Sequence, residues 1–344
     1  MNKPLTFAAL GIDHRHIFGM AANMLDAGAK FAGWWTGVSP GTSDGIPETQ
    51  EGFRKRFPDV TKTHKEVLLA DPDIDLILIS AIPSDRADLA IEAMEAGKDV
   101  MVDKPGCTTL EQLEAIKACV ERTGRIWSVN FSERFEVPAV TKAAELVQAG
   151  AIGKVIQTLG MGPHRLNRAT RPSWFFDRQA YGGILTDIAS HQIDQFLYFT
   201  GSTDAQITLA QVGNYANQDD PGLQDFGEIA LKSGSSHGYI RVDWYTPDGL
   251  PTWGDGKLTI LGTEGYIELR KYVDVGGTEG TDHLILANGT RCVKIQCDDA
   301  GLPYFARLMH DIENRTETAM PQAHAFKVME LGIKAQMMAE GHGA

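Results

Sequence analysis

Cysteine is scarce in this chain: Cys107, Cys119, Cys292 and Cys297 are the only four in 344 residues, with no CxxC pair and no histidine at zinc-finger spacing. So few cysteines in so long a chain make no disulfide framework, and a reducing cytoplasm is the expected compartment. Cys292 and Cys297 read as strand neighbours rather than metal ligands. Long apolar runs are missing too; none approaches the roughly 20 residues a membrane-spanning helix needs. Met1 to Gly11 leads straight into a short apolar strand, without the basic start and cleavage site of a signal peptide. Basic residues are in deficit. With 32 Lys and Arg against 45 Asp and Glu, the formal charge is −13, which disfavours nucleic acid or an anionic membrane as main partner. Internal repeats and low-complexity tracts are absent. What is present is globular composition, 43% hydrophobic and 22% charged, at a length that suggests about two domains.

The first third alternates apolar strands with amphipathic helices. Leu5–Leu10, Lys30–Trp35, Asp75–Ala81, Asp99–Val102 and Ile126–Val129 read as strands. Between them, helices are predicted through about Ala27, from Phe53–Phe57 onward, over Ala87–Ala96 (ended by Gly97) and over Leu110–Arg122. Unbroken apolar strands separated by helices indicate a parallel sheet covered on both faces. Right-handed crossovers then make a doubly wound fold the economical topology. The Gly/Pro/Thr-rich stretch Val38–Pro47 reads as a loop within this domain.

The pattern changes after Asn130. Pro138–Gln148 is predicted as a helix followed by Gly150, and later segments alternate with period two. In His237–Tyr245, Tyr239, Arg241, Asp243 and Tyr245 point one way, and Ile240, Val242 and Trp244 the other. Ala205–Val212, Phe226–Leu231, Lys257–Leu261 and Tyr266–Leu269 look similar, as antiparallel strands do. Helices over Tyr304–Asn314 and Ala323–Ala339 close the chain. The expected division is 1–126 for a dinucleotide-binding domain and 127–344 for an α+β domain with a large, mostly antiparallel open sheet, the last helices packing back on the first.

The first strand-to-helix turn reads Gly11-Ile12-Asp13-His14-Arg15-His16. A dinucleotide turn normally carries three glycines, for the turn itself, for approach of the pyrophosphate and for helix packing. Only Gly11 keeps its place. Asp13 and His16 occupy the other positions, and a carboxylate beside a pyrophosphate is unfavourable unless Arg15 or a protonated histidine offsets it. An alternative role for Asp13 is to cap the following helix. His14-x-His16 also has the spacing that places two imidazoles on one metal in β/α-barrel hydrolases, but the antiparallel second half does not supply the eight units of a barrel. The second strand ends Trp34-Trp35-Thr36 without the acid that binds a ribose 2′-hydroxyl. Asp44 lies farther on, within the loop. Thr36, Ser39, Arg54 and Arg56 suit a 2′-phosphate instead and favour NADP, although the two arginines also fit a solvated helix face.

Three segments narrow the reading further: Ala90–Cys107 (AIEAMEAGKDVMVDKPGC), Asn130–Val155 (NFSERFEVPAVTKAAELVQAGAIGKV) and Gly182–Asp194 (GGILTDIASHQID). Together with LGTEGYI at Leu261–Ile267 and the last helix, they resemble the glucose–fructose oxidoreductase, inositol dehydrogenase and rhizopine-catabolism (Gfo/Idh/MocA) family over nearly the whole chain. The resemblance implies a Rossmann domain and an antiparallel-sheet domain, an active site between them, and oxidation or reduction of a sugar, cyclitol or related polyol with NAD or NADP. It also implies a homodimer or homotetramer formed through the exposed sheet. Asp103-Lys104-Pro105 matches the family's Glu-Lys-Pro, with Asp for Glu. Asp187 and His191 match Asp-x-Gly-x-His, with Ala189 replacing the glycine, and Arg86 stands where many members carry histidine.

Residue chemistry supports the same assignments. A helix is predicted after Gly182-Gly183, running to about Thr200, with Asp187 and His191 on one face and Asp194 a further turn along. An imidazole beside a carboxylate exchanges protons near neutral pH. Removing a hydride from a carbinol carbon requires a base for the hydroxyl proton and a cation for the developing alkoxide. Lys104, at the carboxyl end of a parallel strand, sits where open α/β sheets bind ligands and can serve as cation or base. A Lys-Pro peptide in such a turn is a candidate cis bond.

Lys104, Asp187 and His191 are therefore the expected catalytic residues. Gly11, Ile12, Asp13, His14, His16, Thr36, Ala81, Asp103, Lys104 and Asn130 are expected at the cofactor, and Lys104, Arg134, Arg165, Trp174, Asp187 and His191 at the substrate, with Arg168 and Phe176 nearby. Structural readings compete: a core histidine paired with Asp187 or Asp194, and a buried aromatic pair beside solvated arginines. Two other functions compete as well, a ligand-binding relative without redox activity and a lyase or hydrolase that returns the hydride to the same nucleotide. No metal is expected.

Overall fold

In this computed structural model, residues 3–36 and 47–341 are described. Ser39 and Asp44, and the Val38–Pro47 loop up to residue 46, lie outside them. The chain divides into two compact units, one of residues 1–130, 171–182 and 303–326, the other of residues 131–170, 183–302 and 327–344.

The first unit is a parallel sheet of β1 (Thr6–Leu10), β2 (Lys30–Trp35), β3 (Thr61–Lys62), β4 (Leu76–Ile79), β5 (Asp99–Asp103) and β6 (Trp127–Asn130), in the order β3-β2-β1-β4-β5-β6. This is the doubly wound arrangement, whose strand order reverses between β1 and β4. Strands β1, β4 and β5 are buried along their whole length, which explains their continuous apolar runs. The connecting helices are α1 (Ile17–Asp26), α2 (Pro47–Arg56), α3 (Lys65–Ala70), α4 (Arg86–Glu95) and α5 (Leu110–Thr123). Phe53 and Phe57 do not begin a helix as expected. Phe53 lies in the last turns of α2, where it packs edge-on against Trp34 (5.3 Å) and Phe31 (5.9 Å). Thr109 caps α5 by accepting from the Gln112 N–H, and Gly124 closes it with φ +63°.

The second unit carries α6 (Ser132–Phe135), α7 (Pro138–Gln148) and an eight-stranded sheet; α8 (Arg178–Tyr181) belongs to the first unit. The strands are β7 (Val155–Pro163), β8 (Gln206–Gly213), β9 (Phe226–Ser233), β10 (Ser236–Asp243), β11 (Lys257–Gly262), β12 (Gly265–Arg270), β13 (His283–Asn288) and β14 (Cys292–Ile295). Their order is β14-β13-β12-β11-β7-β10-β9-β8, antiparallel except for the β7–β10 pair. On one face, Val140 and Ala143 of α7 pack on Leu258, Ile260, Ile267, Leu269, Leu284 and Leu286. Helices α9 (Ile184–Asp187) and α10 (Ser190–Thr200) cover the neighbouring part of the sheet, and α11 (Pro303–Asn314) and α12 (Gln322–Ala339) close the chain.

The approach of α10 depends on small residues beneath it. A Cβ on Gly160 of β7 would lie 2.8 Å from Gln192, and one on Gly238 of β10 would lie 2.7 Å from Phe196. Gly160→Val is expected to lift α10 from the sheet and destabilise the protein by about 1–3 kcal/mol, the usual scale of overpacking. Urea unfolding measures it, and an unchanged midpoint would refute the close approach.

Candidate active site

Gly11 leaves β1 with φ +70°, and a Cβ there would lie 2.5 Å from the Cβ of Ala81. Glycine is thus required by both conformation and space. The turn is laced to its neighbours: the N–H groups of Gly11, Ile12 and His14 donate to the carbonyls of Trp35 (3.1 Å), Thr36 (3.2 Å) and Ser80 (2.9 Å). Gly11, Ile12, Thr36 and Ala81 are thereby gathered along one edge of the sheet.

The helix that follows is not capped by Asp13. Its N-cap is His16, with no side-chain hydrogen bond. Asp13 is instead 3% exposed, and its Oδ2 meets no hydrogen-bond partner. Burial, reinforced by Asp85, raises its carboxyl to about 7 against the opposing pull of Arg86 and the Ile82 N–H.

The two histidines converge on the last residue of β5. His14 Nδ1 is 2.8 Å from Asp103 Oδ2, and His16 Nδ1 is 2.8 Å from Oδ1. Ser80 Oγ donates to Oδ2 at 3.2 Å, and Arg86 Nη2 does so at 3.0 Å. Asp103 is fully buried, yet His16, Arg86 and His14 outweigh the cost of burial and hold its carboxyl well below the usual range. Burial, and then His16, lower the His14 imidazole to about 3. A neutral ring facing an ionised carboxylate donates through Nδ1–H and keeps Nε2 as acceptor. The two rings meet edge-on with centroids 4.2 Å apart, and Trp174 lies 6.4 Å from His14.

Lys104 and Asn130 complete this edge. Lys104 is buried and joined to Pro105 by a cis peptide, and Asn130, fully buried, pairs in register with Asp103. Arg54 and Arg56, in the last turn of α2, are exposed.

In the second unit, the single helix expected after Gly182-Gly183 through about Thr200 is two segments. Asp187 ends α9 and Ser190 starts α10, with a tightened turn in which the His191 N–H donates to the Ile188 carbonyl at 3.2 Å. His191 is 1% exposed, while Asp187 is half-buried. Asp194 holds Arg134 through two bonds of 2.7 and 2.6 Å, and the guanidinium stacks over Phe135 and Tyr198. A buried polar layer lies alongside. Lys271 donates to Glu133 (2.6 Å) and Gln195 (2.8 Å), and Gln192 donates to Glu133 (3.0 Å). Burial raises the Glu133 carboxyl, but Lys271, His191 and His164 bring it down to about 2. Arg165 donates to the carbonyls of Pro247 and Leu250, at 2.8 and 2.5 Å, and steadies that loop. Arg168 pairs with Asp220, and Phe176 ends a short 3-10 turn begun at Ser173.

Lys104 lies in the first unit and His191 in the second. The parts that sequence reasoning missed are Ser80, the buried role of Arg86, and Glu133 with Lys271. Ser80 and Arg86 both follow β4, a signal available in the sequence; Glu133 and Lys271 are too far apart along the chain to be linked by pattern.

A parallel sheet in this order, with a glycine turn at the switch point and polar residues at its carboxyl edge, defines a dinucleotide-binding domain. Gly11 and the laced turn fit such a cofactor. The buried, unpartnered Asp13 oxygen marks where this turn departs from the three-glycine form.

The comparisons with known proteins agree. Residues 41–131 match the family described as oxidoreductase family, NAD-binding Rossmann fold, and residues 140–268 match the Gfo/Idh/MocA C-terminal domain. The chain is 31% identical over 280 residues to scyllo-inositol 2-dehydrogenase (NAD(+)) of Bacillus subtilis, covering 78% of this chain and 76% of the relative. It is 33% identical over 141 residues to levoglucosan dehydrogenase of Pseudarthrobacter phenanthrenivorans, 40% of this chain and 36% of that protein. The crystal structure of a candidate oxidoreductase from Erwinia carotovora atroseptica superposes with a TM-score of 0.91 at 44% identity, over 99% of both chains. The chain belongs to the Gfo/Idh/MocA family of NAD(P)-dependent oxidoreductases.

Two outcomes follow from the buried charges. Asp103→Asn leaves Arg86 buried without its counter-charge and is expected to cost about 3–5 kcal/mol in urea unfolding, partly recovered by Arg86→Met in the same chain. An Asp103→Asn protein as stable as wild type would refute the hub. Glu133 has a folded pKa below its unfolded value, so its stabilisation is complete above about pH 4.3 and fades as pH falls toward 2. Glu133→Gln should therefore show a flatter loss of stability between about pH 5 and 2; parallel curves would contradict the ion pair.

Proposed function

We propose that the protein oxidises or reduces a CH–OH group of a sugar- or cyclitol-like polyol, using NAD or NADP. The reading rests on two features, a buried Lys104 following β5 in the first unit and the Asp187/His191 turn in the second, in a chain related over most of its length to an inositol dehydrogenase. Gly11, Ile12, Asp13, His14, His16, Thr36, Ala81, Asp103, Lys104 and Asn130 hold the cofactor. When bound, the nicotinamide supplies the hydride acceptor or donor.

Lys104 and His191 share the substrate's hydroxyl proton: the ammonium stabilises developing alkoxide charge, and the imidazole takes or returns the proton. Asp187 orients substrate or imidazole. His191 is among the groups that hold the Glu133 carboxyl down. Trp174, Arg134 and Arg165 shape the substrate's surroundings, the two arginines through the side chain and carbonyls they hold. Thr36 at the end of β2, with no acid there, favours NADP. The proposed division along the sequence is 1–126 and 127–344, although residues 127–130, 171–182 and 303–326 of the second stretch belong to the first compact unit. One face of the second sheet presents Leu159, Tyr239, Leu261 and Tyr266, each 36–41% exposed, which supports assembly as a homodimer or homotetramer through that face.

The test is turnover with inositols and aldoses, supplied with each nucleotide. Lys104→Ala and His191→Ala are each expected to lower kcat by about 10² or more, the scale of a lost acid–base group. Both variants turning over at the wild-type rate on a verified substrate would end the assignment.

A further inference from the structure

The three-glycine turn of a dinucleotide fold needs no imidazoles, yet this one carries two, and both face one carboxylate. Among the described residues, His14, His16 and Asp103 form a group of three donors whose ligand atoms all lie within 4.8 Å of one another. His14 and His16 come from the turn after β1, and Asp103 from the end of β5. The ring edges keep a path to solvent, with side chains 21% and 33% exposed, while the carboxylate is sealed beneath them.

We propose that His14, His16 and Asp103 bind a divalent transition-metal ion of the zinc class. Two imidazole nitrogens and one carboxylate oxygen are the donor set such ions prefer, and three protein ligands leave a fourth position open. The distances are close to those required. Tetrahedral zinc, with bonds of about 2.0–2.1 Å, spaces its donors about 3.4 Å apart. The present Nδ1-to-oxygen distances are both 2.8 Å, so each ring moves outward by roughly half an ångström. The ion takes the place of the Nδ1 proton, and each ring then carries its proton on Nε2; no oxidation or bond cleavage is involved.

Ser80 and Arg86 also hold Asp103, through the 3.2 and 3.0 Å bonds to Oδ2. Arg86 is the main opposing feature, because a guanidinium beside the carboxylate disfavours a dication. Its other bonds run from Nε to the Ala81 carbonyl and from Nη1 to those of Asp103 and Pro105. It is therefore a fixed outer partner that orients the carboxylate, as such groups do around metal ligands. The expected affinity is correspondingly below that of a site with an uncompensated carboxylate. The inference goes beyond hydride transfer and does not depend on it.

The experiment uses full-length protein without a histidine tag, stripped with a chelator and dialysed. Calorimetric titration with Zn²⁺ should give one site per chain, and Co²⁺ should produce visible bands of a low-symmetry nitrogen–oxygen site. The His14→Gln/His16→Gln variant keeps a hydrogen-bonding side chain at each position and should lose both signals, while Arg15→Ala should keep them. Absence of stoichiometric binding in wild type, or binding that survives in the double variant, overturns the proposal. NADH titration of the same stripped protein reads the dinucleotide site separately, so failure of one assignment is told apart from failure of the other.

Discussion

The carboxyl edge of the parallel sheet is organised by a single buried charge. Asp103 ends β5 with no exposure to solvent, and it receives hydrogen bonds from groups that follow β1 and β4. An isolated carboxylate could not be kept ionised there, since removing it from water costs several kcal/mol. Arg86 and two imidazoles make it tolerable, and in return the carboxylate sets the direction of every ring around it. The turn that departs most from the three-glycine pattern is thus rigid by hydrogen bonding where other turns are compact by lack of side chains. Asp13 remains the exception, buried with one oxygen unpartnered and a carboxyl near neutrality.

The second unit handles its buried charge in a comparable way. Lys271 and Glu133 neutralise each other under α10, and Gln195 and Gln192 each bond to one of them, while Glu133 Oε1 and Gln192 Oε1 meet no hydrogen-bond partner. Arg134 and Asp194 form a second closed pair. A buried layer of directional bonds specifies the orientation of a helix where apolar contact alone does not. Here it fixes the segment that carries His191, and the glycines of β7 and β10 let that segment lie directly on the sheet.

Much of this was legible in the residues. Alternation of apolar strands with helices gave the doubly wound sheet, and period-two patterning gave β10 with Ile240 and Val242 inward and Tyr239 outward. Asp-Lys-Pro and Asp-x-x-x-His pointed to the family. Other features depended on contacts distant in sequence. β3, with only Thr61 and Lys62, has too few residues to show a period. β7 carries Gly160 and Gly162 where Gln192 of α10 packs against it, which hides its pattern. The histidines of the first turn read as intruders in a phosphate site; only their shared contact with Asp103, 89 and 87 positions away, explains their presence. Asp13 looked like a helix cap because the cap rule is local, whereas the start of α1 is set by the bonds of the turn to Ser80, Thr36 and Trp35.

The central claim is that this imidazole-bearing, carboxylate-braced turn still receives a nicotinamide dinucleotide. It is tested most directly by titrating the purified protein with NADH and NADPH while following the fluorescence of its tryptophans, Trp34 and Trp35 among them. The account predicts saturable binding of one nucleotide per chain for at least one of the two. A folded protein that shows no saturable response to either would contradict it.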